Sequence, residues 1–291
     1  MKIALATSNH VLPAGDLALM QALADQGLDV EAAVWSDPRQ SWKRNAAVLV
    51  RSCWDYHLRV REFLDWVAYL HHSGIVVLND PSLIRWNSNK TYLAELASRQ
   101  IAIPETIFLK PTDLEFDLAR ECAMRQWSSA VVKPLVSASA HLTERKSSGL
   151  VRGPAMVQKY VASIETEGEW SLVFFNHQFS HAVIKKPRLG DFRVQSAFGG
   201  TVEVAQPSVE MLCLAKHVLR CLRWPAMFAR VDLVTNGPSI ELMELEVIEP
   251  ELFLSLVPGS SARLAAEIVK HLSHKLQRNR RSRSSQTEPA D

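Results

Sequence analysis

The sequence predicts a chain that is α/β in its first 85 residues and α+β from there to residue 276. Three observations carry that prediction. Short apolar runs alternate with helical spacing as far as residue 78, and the course from Ala130 to Glu246 is rich in strand-like segments. A composition of 47% hydrophobic and 22% charged residues in 291 supports more than one globular core.

Lys2 to Thr7 reads as a first strand. Asp16 is placed to cap a helix in which Leu17, Met20, Leu23 and Ala24 recur at helical spacing, and Gly27 ends it. Val30 to Trp35 and Ala46 to Arg51 are the next strands, the second followed by the loop Ser52 to His57. A helix from Arg61 to Ser73 puts Phe63, Trp66, Val67 and Leu70 on one face, and Ile75 to Leu78 closes the unit. This alternation implies a parallel, Rossmann-like sheet with helices on both faces. Ligands of such sheets gather at the C-terminal ends of the strands, where Asn9 and the segment Arg51 to Tyr56 lie.

Asn79-Asp80-Pro81 breaks the pattern and leads into a helix from Lys90 to Arg99. Then come a strand at Thr106 to Leu109, a helix from Thr112 to Gln126, and strands at Ala130 to Pro134, Met156 to Tyr160 and Glu169 to Phe175. A helix from Val209 to Leu222, two acidic strands and a closing helix from Ser260 to Leu276 complete the body. The expected divisions are 1–85, 86–276 (with parts near 104–160 and 161–276) and a polar, Ser- and Arg-rich tail, 277–291, expected to be disordered.

Several function classes are set aside by composition. No run reaches the roughly 18 to 20 apolar residues of a membrane span, and the apolar start at Met1 to Ala6 is too short for a secretory signal, so a cytoplasmic protein is expected. Cys53, Cys122, Cys213 and Cys221 form no CxxC pair, which argues against a thiolate metal site. The net charge is +2. The basic tail either attracts nucleic acid or is simply solvated; with no aromatic residue between its arginines, no nucleic-acid partner is expected.

The chemistry concentrates in two strands. Arg230-Val231-Asp232-Leu233-Val234 and Glu244-Leu245-Glu246-Val247-Ile248-Glu249-Pro250 flank the turn residues Asn236-Gly237-Pro238. Glu244 and Glu246, two apart, face one side, and Asp232 on the partner strand can join them. Alternating acids of this kind form either a solvated face or a cation site. Here Leu242, Met243, Leu245, Val247 and Ile248 bury the strand, and neighbouring buried carboxylates repel unless paired with cations. Magnesium, which takes hard oxygen ligands and shares them with phosphates, suits the set. Glu249 either shares that load or, with Pro250, ends the strand.

In their order, these fragments and those upstream resemble the ATP-grasp carboxylate–amine ligases, from about Trp86 to Leu272. The resemblance implies a two-part fold with antiparallel sheets enclosing a nucleotide, preceded by the Rossmann-like unit. It implies that Lys90, after Trp86-Asn87, and Lys133, in Val131-Val132-Lys133-Pro134, reach the phosphates of ATP. Gln158-Lys159-Tyr160-Val161 is similar to the hinge that meets adenine, and Glu169 to the acid that holds the ribose. Lys186 to Gln195 with Gly199-Gly200 is similar to the element whose arginine, here Arg193, faces the transferred phosphate. Arg193, Lys133 and Arg230 are the expected catalytic cations.

Asp232, Glu244 and Glu246 match the family's metal positions, with Glu246 standing where asparagine is frequent, and two magnesium ions are expected. The loop after Lys133 departs from the family's glycines. Its Ser137 and Ser139 hydroxyls are expected to donate to phosphate, and the segment to Thr143 to act as a lid.

For the substrate, an amino-acid-like carboxylate, contacts are expected from Arg51, Trp54, Asp55, Tyr56, Asn9, Gly199 and Gly200. Arg51 or Arg193 would hold its carboxylate, and Trp54 either faces the cleft or packs between domains. The Arg51 to Tyr56, Trp86 to Lys90 and Glu244 to Glu251 segments most resemble the branch that includes the cycloserine-forming cyclo-ligase, in which O-ureido-D-serine is closed by its own nitrogen. A homodimer is expected by analogy with such ligases. An intermolecular amino-acid or peptide ligase, a nucleotide-dependent transferase and a binding module built on the basic tail are the alternatives.

Overall fold

A computed structural model describes residues 1–194 and 198–284. Gln195 in the predicted arginine element and the last part of the expected tail, 285–291, lie outside the described residues. The first unit is β1 (Lys2–Thr7), α1 (Ala14–Asp25), β2 (Asp29–Val34), β3 (Ala47–Val50), α2 (Val60–His72) and β4 (Val76–Leu78). Its sheet is parallel throughout, in the order β2-β1-β3-β4. Strands buried on both faces explain the near-continuous apolar runs in β1 and β3.

Helix α1 departs from expectation. Pro13, not Asp16, occupies the N-cap, and the buried face is Asp16, Leu19 and Leu23, while Leu17 is exposed. Asp16 is oriented inward because Arg51 and Ser52, at the end of β3, bind its carboxylate.

α3 (Pro81–Asn87) and α4 (Tyr92–Ser98) follow. Asn79-Asp80-Pro81 is therefore a helix start as well as a break: Asp80 accepts from the Ser82 amide, and Pro81 sits at the first turn, where its missing N–H costs nothing. The expected boundary after residue 85 falls inside α3, and Leu83 and Ile84 of that helix enter different hydrophobic clusters.

Next come β5 (Thr106–Leu109), β6 (Phe116–Asp117), α5 (Leu118–Arg125), β7 (Ala130–Pro134), β8 (Glu144–Lys146), β9 (Leu150–Val151) and β10 (Ala155–Lys159). The helix expected from Thr112 begins only at Leu118. Asp117 caps it through the Arg120 amide, and Phe116 and Asp117 pair with β9 instead of coiling. The antiparallel sheet here runs β5-β10-β7-β8.

The rest is α6 (Ser163–Thr166), β11 (Glu169–Phe175), β12 (Gln178–Lys186), β13 (Thr201–Val204), α7 (Val209–Arg220), β14 (Phe228–Asn236), β15 (Ser239–Glu246) and α8 (Ser260–Ser284). Its antiparallel sheet runs β13-β12-β11-β14-β15. α8 continues past Leu276, so 277–284 is helical and not the disordered tail expected. Gln and Arg are good helix formers, and an existing helix extends more readily than a new one nucleates. Leu264, Ala265, Ile268 and Leu272 of α8 pack in one cluster with Ile3, Leu5, Leu19 and Leu23 of the first unit and Val173 and Phe175 of β11. The end of the chain thus joins the first sheet to the last.

Asn79 couples the same layers. Fully buried, it donates to the carbonyls of Phe228 and Val247, both at 2.8 Å, and accepts from the amides of Met227 and Phe228. Asn79→Ala leaves these groups without partners and is expected to lower stability by about 3 kcal/mol, the cost of a few buried, unmade hydrogen bonds. A urea midpoint within error of the parent would contradict that role.

Candidate active site

Between the two antiparallel sheets and the end of the first unit lies a cavity of about 480 Å³. One of its walls is the β14–β15 hairpin, in which Asp232 stands opposite Glu244 and Arg230 opposite Glu246. The register shifts after Asp232, with Met243 as the extra residue on β15. Alternation puts Glu244 and Glu246 on one face, opposite Asp232 and Arg230, and at the bulge Leu242 and Met243 are both buried.

The carboxylates are interleaved with cations. Arg230, itself buried, donates to Asp232 at 2.8–3.1 Å and to Glu246. Lys185 binds Glu169 at 2.5 Å and approaches Asp232 at 3.6 Å, and Ser171 donates to Asp232. Lys90 binds Glu244. Burial alone would raise the Asp232 and Glu244 carboxyls, but Arg230 and Lys185 hold the first below its ordinary value and Lys90 and Lys133 the second. Glu246 goes the other way. Burial, aided by Glu244 and Asp232 and opposed by Arg230, lifts it to about 7.

Among the described residues no three such groups form a ready metal cage. Asp232 is closed in by Ser171, Arg230 and Lys185, whereas Glu244 and Glu246 keep 25% and 28% of their side chains exposed. An all-oxygen set crowded enough to hold a carboxyl near neutrality fits magnesium, with Glu244 and Glu246 the accessible donors.

All ten residues expected around the nucleotide line the cavity: Lys90, Lys133, Ser137, Ser139, Gln158, Lys159, Tyr160, Val161, Glu169 and Arg193. Their present partners qualify several roles. Lys133 has no carboxylate within salt-bridge distance among the described residues, and burial depresses its ammonium. Arg193 is held by Asp191 at 2.8 Å and lies 3.7 Å from the Phe198 ring centre. The Ser137 hydroxyl donates to the Pro134 carbonyl at 3.3 Å. Ser139, Ala140 and Leu142 adopt left-handed conformations, the backbone geometry for which glycine would be the ordinary choice.

Five expected substrate contacts do not reach the cavity wall. Trp54 and Tyr56 line it, but Arg51, Asp55, Asn9, Gly199 and Gly200 do not. Arg51 is buried against Asp16 at 3.0 Å and over the Phe228 ring, because a guanidinium inside the protein must find a carboxylate. Asp55 accepts from Trp35 Nε1 at 2.8 Å and from Arg59 at 2.7 Å. Asn9 turns outward and accepts from the Val11 amide. Gly199 takes φ +83°, and a side chain on Gly200 would lie 2.2 Å from the Val194 carbonyl. These glycines allow the loop bearing Arg193 to close on itself; Gly200→Ala is expected to lower kcat while leaving most of the fold intact, which circular dichroism beside turnover would check.

Sequence reading missed Lys185, Asn87 and Tyr92. Asn87 binds the Leu245 carbonyl and Val247 amide, and the Tyr92 hydroxyl binds both backbone groups of Leu245, so α3 and α4 fix the strand carrying Glu244 and Glu246. Lys185 had one available signal, its place directly after the apolar run Ala182-Val183-Ile184, but no spacing ties it to Glu169 or Asp232.

The family described as D-cycloserine synthetase DcsG, N-terminal domain, matches residues 3–79. The cycloserine biosynthesis protein DcsG of Streptomyces lavendulae is 28% identical over 277 residues, 87% of this chain and 92% of that protein. The crystal structure of D-cycloserine synthetase DcsG superposes with a TM-score of 0.81 at 26% identity, covering 94% of this chain and all of that one. The chain has the fold of the ATP-grasp ligases and is related to D-cycloserine synthetase. The ligase shares its fold with D-alanine–D-alanine ligase from Bacillus anthracis, solved with ATP, at a TM-score of 0.66, 13% identity and coverage of 96% and 99%. No helix among its described residues is long and apolar enough to cross a membrane.

Proposed function

We propose that this ligase closes O-ureido-D-serine into the cycloserine ring at the expense of ATP. The observation that carries the reading is one cavity holding Lys90, Lys133, Lys185, Arg193 and Arg230 with Asp232, Glu244 and Glu246, and lined also by Trp54 and Tyr56. Glu244 and Glu246, with Asp232 behind them, would hold magnesium, in our reading two ions. Bound there, the metal would offset the negative charge of the phosphates.

Lys133, with no partner among the described residues, would reach the triphosphate, and Lys90 and Arg230 would turn to it from Glu244 and Glu246 if those carboxylates held the metal. A substrate carboxylate oxygen attacks the terminal phosphorus, and ADP leaves with the electrons of the broken P–O bond. The substrate's oxygen-bound nitrogen then attacks the acyl carbon. Phosphate departs with the C–O electron pair, the nitrogen's proton passes to solvent, and hydrolytic loss of the carbamoyl group completes the product. The Ser137 to Thr143 loop excludes water from the acylphosphate. We place the reaction in the cytoplasm.

Incubation with Mg-ATP and O-ureido-D-serine is expected to release ADP and yield cycloserine by mass spectrometry. Glu244→Gln should abolish ADP formation with the fold retained by circular dichroism; undiminished turnover would remove the metal assignment. Mg-ATP at a hundredfold excess over Kd should stabilise the parent by about 2.7 kcal/mol.

A further inference from the structure

We infer that Glu249 receives the ammonium group of the amino-acid substrate and so decides which way round that substrate lies. The inference rests on the ligase reading above and deepens it by naming the group recognised.

Charge matching in the cavity leaves two acids without a cation among the described residues, Glu249 and Glu251, and only Glu251 has an amide donor from another residue. Glu169, Asp232, Glu244 and Glu246 each have a lysine or arginine partner. Glu249 lines the same cavity and is 93% buried, yet no described side chain donates to its carboxylate and no cation lies within salt-bridge distance. A buried carboxylate without a partner is unfavourable, and burial accordingly raises Glu249 well above the ordinary carboxylate value; a cation entering the cavity would stabilise its charged form. A second magnesium-binding role fits less well, because Glu249 lies three residues beyond Glu246 and past the end of β15.

The surroundings select an ammonium. Trp54 Nε1 donates to the Glu249 carbonyl at 3.2 Å, which seats the indole beside this segment with 38% of the residue exposed. Tyr56 forms the adjoining wall, and Glu249 is the leading charge acting on its hydroxyl. A carboxylate flanked by aromatic rings is a site for a compact cation. Glu251 lines the same end, its carboxylate already accepting from the Phe253 amide. The arginine that might have drawn a carboxylate here, Arg51, is committed to Asp16. Glu249 is thus an unmatched carboxylate beside Trp54, and Lys133 an unmatched cation of the same cavity. An α-amino acid entering with its ammonium on Glu249 presents its carboxylate to Lys133 and the nucleotide, the orientation that phosphoryl transfer requires.

The test compares amino substrates with des-amino analogues in the parent and in Glu249→Gln. O-ureido-D-serine is expected to show a KM at least about tenfold below that of 3-(ureidooxy)propanoate in the parent, and the gap should fall below about threefold in E249Q with the KM for ATP unchanged. Binding is followed separately by thermal shift with Mg-AMPPNP, using D-serine against 3-hydroxypropanoate. Discrimination lost in E249Q without any turnover in the parent supports ammonium recognition while rejecting ring closure. Equal discrimination in both proteins overturns the inference whether or not cycloserine forms. A changed magnesium requirement as the sole effect of E249Q also overturns it. Should E249Q fail to fold, Glu249→Asp gives the same comparison: reduced discrimination supports the inference and full discrimination overturns it.

Discussion

Lys133→Met is expected to lower kcat/KM at least about a hundredfold while the protein melts no lower than its parent, since a preorganised cation lost from a phosphoryl-transfer site typically costs that much. The two halves of this expectation have one cause. The Lys133 ammonium sits inside the cavity, depressed by burial, with no carboxylate at salt-bridge distance among the described residues. Removing it unpairs nothing, and methionine keeps the length and apolar stem of the side chain. Steady-state ADP release and a thermal melt check both halves. A fall in melting temperature with activity retained would make Lys133 a structural residue and take the triphosphate out of this part of the cavity.

Arg230→Met is expected to fail in both respects. Arg230 is buried, and it holds Asp232 through three hydrogen bonds and Glu246 through one. Its guanidinium is raised well above the ordinary value because Asp232 and Glu246 outweigh the burial that opposes it. Deleting one side of a buried ion pair leaves the other uncompensated, at about 3 to 5 kcal/mol. Activity should fall with it, because Glu246 then loses the charge that opposes its protonation. The pH direction follows. Glu246 is already lifted to about 7, so its carboxylate gains population as pH rises through neutrality. Without Arg230 that rise must come at higher pH, and residual activity should shift to alkaline conditions. A variant with parental stability and an unshifted pH profile would show that the carboxylates do not depend on Arg230.

The contrast between these lysine and arginine variants reflects what was legible in the chain. Strand β7 was readable from Ala130 to Pro134, and Lys133 on it was singled out by its order relative to the carboxylate strands. The hairpin was equally readable, because alternation fixes which side chains share a face and Asn236-Gly237 fixes the turn. What the order of residues did not contain was partnership. Nothing local says that Arg230 lies between Asp232 and Glu246, that Lys185 is shared by Glu169 and Asp232, or that Asn87 and Tyr92 clamp β15. These contacts join segments up to about 160 positions apart in the chain and exist only once the sheets are assembled.

Arg51 shows the same limit from the other side. Its place at the end of β3 was read correctly, and position alone suggested a substrate contact. Asp16 on α1 turned it inward, since burial of a guanidinium is tolerable only beside a carboxylate.

By itself, then, the sequence determined the order of elements, the parallel first sheet and the two acidic strands, because each is written in periodicity and spacing between near neighbours; the cations expected at a nucleotide came from resemblance to the ATP-grasp ligases. The tertiary structure alone decided which charges are already matched and which, Lys133 and Glu249, face the cavity without a partner among the described residues. Electrostatic matching depends on distance and burial in space, and those quantities have no local signature along a chain.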